Sequence, residues 1–193
     1  MSASFFPGPE THTFVAYVED QPGVLNRVTS LFRRRGYNIV SLNVGRTNQD
    51  GVSRMTMVVE ADDDKAIRIE ANLYKMVNVL SVEDITHKSN VSRDLVLIKV
   101  KAGPDKRSEI LQLCEVFRAR FIDVHPETLI VEVTGTQDKI EGLVQMLLPF
   151  GILEMVQTGT VAMTRGGKGE AAEAAGAGAA SLGPNLKQVA AAS

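Results

Sequence analysis

The chain is predicted to be an α+β protein built from two βαββαβ units in tandem. Three observations predict this. Alternating apolar segments and helix-period stripes follow one another in that order twice. The first strand-to-helix junction of each half carries a Pro/Gly pair, at residues 22–23 and 103–104. Finally, a short polar stretch, residues 88–92, separates two halves of similar length. Each half has antiparallel strands with its helices on one face.

The elements of the first half follow from local chemistry. Residues 13–18 alternate and are rich in β-branched and aromatic types, which predicts a strand. Val24, Leu25, Val28, Leu31 and Phe32 then recur as one helical stripe. Between them lies Asp20-Gln21-Pro22-Gly23. Pro22 fixes φ, Gly23 allows close backbone approach, and Asp20 is a candidate helix cap. Arg33, Arg34 and Arg35 before Gly36 suit a helix C-terminus. Residues 37–44 predict a second strand, and Asn48-Gln49-Asp50-Gly51 a turn. Residues 52–60 predict a third strand, with Met55, Met57 and Val59 on one face. Asp62, Asp63 and Asp64 suit the start of a helix that buries Ala66, Ile69, Leu73 and Met76. Residues 77–86 predict the last strand, completing the ferredoxin-like split unit.

The second half repeats the fold without repeating the sequence. Alternating Leu95, Leu97 and, across a lysine, Val100 predict its first strand. A helix runs from Gly103-Pro104 to about Phe117, with Ile110, Leu113, Cys114 and Phe117 on one face. Strands are predicted at 121–124 and 128–134, a helix at 137–148 burying Ile140, Leu143, Val144 and Leu147, and a last strand or broken pair at 151–163. The expected organisation is therefore a flexible leader (1–11), a first domain (12–87), a linker (88–92), a second domain (93–165) and a disordered Ala/Gly-rich tail (166–193).

Composition narrows the function classes. The chain has 193 residues, 44% of them hydrophobic, so it can bury cores, although two small domains favour oligomers. A net charge of −2, no Trp and 5% aromatics give no global attraction to nucleic acid and no RNA-stacking run. No apolar stretch reaches membrane-spanning length, and residues 1–11 lack signal or transit-peptide character. The single cysteine fits a reducing compartment, and the expected location is the cytoplasm.

No catalytic constellation is legible. His12, His87 and His125 are far apart in sequence and fall at element edges, so they are expected to be edge histidines rather than metal ligands. The spacing suggests no zinc site, and helix capping accounts for the Asp62–Asp64 run. There is no nucleophile elbow, phosphate loop or dinucleotide fingerprint. By contrast, the 20–26 loop and helix start has two readings: Pro-Gly simply makes a tight turn before a helix, or its unpaired N–H groups at the positive end of the helix dipole hold a small carboxylate.

The run D-x-P-G-V-L-x-R-V, followed by L-F-R-R-R-G-Y-N-I-x-S-L and by S-R-M-T at 53–56, resembles the small regulatory subunits of acetolactate synthase (acetohydroxyacid synthase). The likeness continues through residues 72–79, 121–124 and 164–166, so it covers roughly 12 to 166. The amino-terminal part resembles an ACT domain, a module of many amino-acid sensors, and the second domain is ACT-like. The resemblance implies a subunit with no active site and no cofactor of its own. Its partner would be a large catalytic subunit carrying thiamine diphosphate, Mg and FAD. It would activate that partner and confer feedback inhibition by valine or a related branched-chain amino acid. It also implies a homodimer formed through the ACT domains, with the effector held between them. By position this site maps onto Asp20, Gly23, Val24, Leu25 and Asn26, with Asn38 and Ile39 from the second strand. In that reading the N–H groups of residues 23–25 take the carboxylate, Asp20 and Asn38 take the ammonium, and Val24 and Ile39 line an apolar pocket. The second repeat has Ala102-Gly103-Pro104-Asp105 instead and lacks a Gly-Tyr-Asn counterpart, so it is expected to serve packing or partner contact. The alternative reading is a free-standing double-ACT sensor acting on another enzyme or on transcription.

Overall fold

The computed structural model describes residues 10–166, which divide into two units. The expected leader, apart from its last two residues, and all but the first residue of the expected tail lie outside the described residues. The first unit comprises β1 (Thr11–Glu19), α1 (Val24–Arg35), β2 (Asn38–Arg46), β3 (Val52–Glu60), α2 (Asp63–Tyr74) and β4 (Val79–Asp84). Its strands are ordered β2-β3-β1-β4, all antiparallel. This is the ferredoxin-like arrangement, with the first and third strands central.

Period-2 alternation sends Phe14, Ala16 and Val18 of β1 to the helix side, where they meet Val24, Val28 and Phe32 of α1 and Ala66, Ile69 and Leu73 of α2. Met55, Met57 and Val59 of β3 complete this core. Leu25, expected on the buried stripe, is 43% exposed. Successive helical residues point about 100° apart, so Val24 and Leu25 cannot both face the sheet. The last strand starts at Val79 rather than Val77, because residues 75–78 form the turn that ends α2 and leave Val77 exposed.

Asp62 caps α2, accepting a hydrogen bond from the Lys65 N–H at 2.8 Å. That bond, reinforced by the Lys65 ammonium, holds the Asp62 carboxyl below its usual value of 3.8. A depressed folded-state value means the cap is fully effective above that pH and is lost as pH falls through the lowered one. Asp62→Ala is therefore expected to lower the thermal midpoint at neutral pH, with Asp62→Asn restoring most of it. Equal melting of all three proteins would show that the cap contributes nothing.

The second unit comprises β5 (Asn90–Lys101), α3 (Pro104–Val116), β6 (Arg120–His125), β7 (Thr128–Gly135), α4 (Gln137–Leu147) and β8 (Ile152–Gln157), ordered β6-β7-β5-β8. Asn90 to Ser92, expected in the linker, are the opening residues of β5. Its buried face carries Val96, Ile98 and Val100, which sit opposite Val133, Val131 and Leu129 of β7. Leu95 and Leu97, on the other face, are only partly buried. The strand is apolar on both sides, and only its pairing with β7 selects the inner face.

Cys114 lies on the buried face of α3, and burial pushes its thiol from 9.0 up to about 11. At neutral pH it is a small apolar core residue. Native protein is expected to resist a thiol reagent that modifies it promptly in denaturant. Because the folded-state value is raised, the thiol's contribution to stability is complete below 9.0 and is lost as pH rises through about 11.

The sequence pattern allows a last strand or a broken pair at 151–163, and the structure has the pair, β8 and a further short strand. After β8 the chain enters β9 (Val161–Thr164), which pairs with β5. Ala162 of β9 is buried with Val15 and Ile85, on the face of β1 away from the helices. Arg54 of β3 stacks over Tyr17 at 5.8 Å and donates to the Ala162 carbonyl, and the Arg165 N–H donates to Ser89. Residues 162–166 thus group with the first unit, whereas the second unit is Ser92–Val161.

Candidate effector site

The segment between β1 and α1 is a tight turn held by the backbone. Asp20 N–H donates to the Gly51 carbonyl (2.8 Å), Gln21 N–H to Glu19 (2.9 Å) and Val24 N–H to Gln21 (3.3 Å). Gly23 occupies the N-cap position in the left-handed region, at φ +88°, and no side chain caps the helix. Its carbonyl accepts the Arg27 N–H at 3.0 Å. The N–H groups of Leu25 and Asn26 are the remaining donors of the first turn, at the positive end of α1. No acidic residue stands in that turn to neutralise them.

Several predicted site residues take different parts from those expected. Asp20 does not cap α1; its carboxylate lies 3.4 Å from the Arg46 guanidinium at the end of β2. The turn places Gly23, three residues later, at the cap. Val24 is buried in the core beneath the loop, and its N–H is already bonded to Gln21. Leu25 and Asn26 are exposed beside Gly23. Of the predicted loop residues, Asp20, Gly23, Leu25 and Asn26 face solvent and only Val24 does not.

A polar network joining Glu19, Arg27 and Asn78 fixes the loop to the rest of the unit. Glu19 N–H donates to the Asn78 carbonyl (3.0 Å), Asn78 Nδ2 donates to Glu19 Oε2 (2.6 Å), and Arg27 donates to Asn78 Oδ1. Asn78 thereby ties the end of β1, the first turn of α1 and the start of β4 together. An open groove of about 410 Å³ runs beside it, flanked by Arg27, Arg34 and Lys75. The only sequence signal for this network was a pair of polar residues at element ends.

Asn38 and Ile39 are not beside the loop. Asn38 opposes Glu60, and Glu60 opposes Thr11 at the start of β1, whereas the loop follows Glu19 at its far end. Eight residues of strand, about 26 Å, separate the two sets. Asn38 is exposed, and Ile39 is half-buried against the core. β2 is the edge of the sheet, paired among the described residues with β3 alone. Its Arg46 end lies at the loop and its Asn38 end lies opposite.

The matching junction in the second unit is built differently. Gly103 has an ordinary extended backbone (φ −61°), with Pro104 opening the helix. Arg107 Nη2 fills the space below, donating to the carbonyls of Ala102 (3.2 Å), His125 (2.7 Å) and Pro126 (2.8 Å). The first turn of α3 also carries a carboxylate, Asp105, whereas that of α1 has none.

Residues 14–81 match the family described as the AHAS small subunit-like ACT domain, and residues 93–166 match the small subunit of acetolactate synthase. The acetolactate synthase small subunit of Mycolicibacterium smegmatis is 46% identical over 162 residues, spanning 84% of this chain and 95% of that protein. The Mycobacterium bovis small subunit is 48% identical over 161 residues, spanning 83% and 96%. The crystal structure of the acetolactate synthase small subunit from Thermotoga maritima superposes with a TM-score of 0.75 at 38% identity, covering 82% of this chain and 99% of that one. With an ACT unit followed by the second unit of the same family, and near-complete coverage of relatives far above 30% identity, this chain belongs to the acetolactate synthase small-subunit family.

Proposed function

We propose that this chain is a non-catalytic regulatory subunit. It binds and activates a thiamine-diphosphate-dependent acetolactate synthase large subunit and makes it sensitive to valine, at the first common step of branched-chain amino-acid synthesis. Thiamine diphosphate, Mg and FAD belong to that partner. Family membership supports the partnership, and the open first turn of α1 supports the sensing role. Among the described residues no helix is long and apolar enough to cross a membrane, and the proposed setting is the cytoplasm.

The observation that carries the sensing role is the placement of β2. It is an edge strand, and such an edge accepts another strand. Antiparallel pairing with β2 of a second copy sets Asn38 of one copy against Arg46 of the other. Arg46 already contacts Asp20 of the loop. The two sets of residues that lie about 26 Å apart in one chain thus meet across a two-fold axis. A zwitterionic amino acid there places its carboxylate on the Leu25 and Asn26 N–H groups. Its ammonium meets Asn38 Oδ1 of the second copy, and Leu25 and Ile39 flank the isopropyl group. One methylene in such a pocket is worth about 1–3 kcal/mol, so leucine and isoleucine compete weakly.

Inhibition requires that valine prefer the dimer geometry in which the large subunit is less active. A coupling of about 1–3 kcal/mol suffices. The test is acetolactate formation by the cognate large subunit, with and without this chain, across a valine titration. Activation reversed by valine supports the proposal. Activation without a valine response removes the effector site, and no change in rate with a folded, cofactor-loaded large subunit favours a free-standing sensor.

A further inference from the structure

We propose that His12, Asp63 and His87 form a divalent-metal site suited to zinc, remote from the effector loop. Sequence spacing hides it, because the three residues come from the start of β1, the first turn of α2 and the segment after β4. The fold brings one ligand atom from each to within 4.8 Å of the others. His12 Nε2 and His87 Nε2 each lie 3.4 Å from Asp63 Oδ1. That is longer than a good hydrogen bond, which spans about 2.7–3.2 Å. It matches the edge of a tetrahedron, about 3.4 Å, whose metal–ligand bonds are about 2.0–2.1 Å long. Two imidazole nitrogens and a carboxylate oxygen form a donor set that zinc favours.

The surroundings of His12 point the same way. Unlike an ordinary edge histidine, it is only 6% exposed. Its Nδ1 lies 2.6 Å from Asp84 Oδ2, and the other oxygen of Asp84 accepts from the Thr86 N–H (2.9 Å) and hydroxyl (2.5 Å). Asp84 so held accepts a hydrogen bond from His12 Nδ1–H, which leaves the Nε2 lone pair facing Asp63 and His87. A lone pair facing a carboxylate is repulsive until a cation lies between them. Carboxylate–histidine–metal is the arrangement that orients a ligating imidazole and raises its basicity. Asp62 does not take part, since its carboxylate caps α2. Asp63 and His87 are 81% and 78% exposed, so an ion can enter from solvent and keep a fourth position for water.

Such an ion would clamp the first strand, the second helix and the segment leaving the first unit. The test is titration of the tag-free, metal-stripped full-length chain with Co(II), read by visible d–d absorption, and with Zn(II), read calorimetrically. His87→Ala and Asp63→Asn serve as variants, both at exposed positions, and circular dichroism of the metal-free proteins checks that they fold. One equivalent per chain, with the intense absorption of tetrahedral Co(II) and affinity at least about tenfold weaker in both folded variants, is expected. Absence of stoichiometric uptake, or uptake that the two folded variants leave unchanged, overturns the site.

Discussion

Holoenzyme carrying Gly23→Asp is expected to retain activation by this subunit while its half-inhibiting valine concentration rises at least about tenfold, a loss of about 1.4 kcal/mol or more. Two features of Gly23 combine. Its φ of +88° is strained for any residue with a Cβ, at a cost of about 1–2 kcal/mol that Asp tolerates better than most. Nothing lies within 4 Å of where that Cβ would stand, so the fold need not shift to admit it. The new carboxylate would occupy the N-cap, where an aspartate accepts the N–H of the second or third helical residue. In α1 these are Leu25 and Asn26, the donors assigned to the effector. The variant would thus cap its own helix and repel a second anion. Gly23→Ala separates the two contributions, since it adds the strain without the charge. Unchanged valine inhibition in the Asp variant, with activation intact, would remove the carboxylate from this loop.

Phe32→Ala is expected to cost the first unit about 3–5 kcal/mol, which rivals the whole stability of a small domain. Phe32 is 1% exposed in the core shared by α1, β1, β3 and α2, with Tyr37 edge-on at 5.9 Å and 75°. Truncation removes its buried area and leaves a cavity, because the sheet on one side and α2 on the other cannot both close in. The backbone bond from the Tyr37 N–H to the carbonyl of residue 32 (3.0 Å) survives the truncation, whereas the edge-on ring contact with Tyr37 is lost. With no Trp in the chain, urea unfolding is best followed by far-UV circular dichroism. Val77→Ala is the matched control, because Val77 is 90% exposed and its truncation should stay within about 0.5 kcal/mol. A Phe32→Ala midpoint close to that of the control would mean that the core repacks around the gap.

The βαββαβ order, the buried stripes of α2 and α4, and the loop at residues 20–26 were legible in the sequence because each rests on neighbours within one or two turns of chain. The periods of 2 and 3.6, the Pro-Gly pair and the aspartate cap are local signals. The resemblance to acetolactate synthase small subunits was legible for the same reason, as contiguous runs of residues. Only the tertiary structure decided matters that depend on residues distant in sequence. Asp20 meets Arg46 rather than the helix it precedes. Val96 and Ile98, not Leu95 and Leu97, face inward, because pairing with β7 selects one side of a strand apolar on both. Ala162 closes over Val15 and Ile85 of the first unit after seventy residues of the second unit have intervened. Asn38 lies a full strand length from Gly23, and His12 meets Asp63 and His87. A sequence pattern reports which face of an element is apolar. Which other element covers that face, and which polar ends converge, follows from strand order and register, and these are set by burial across the whole sheet.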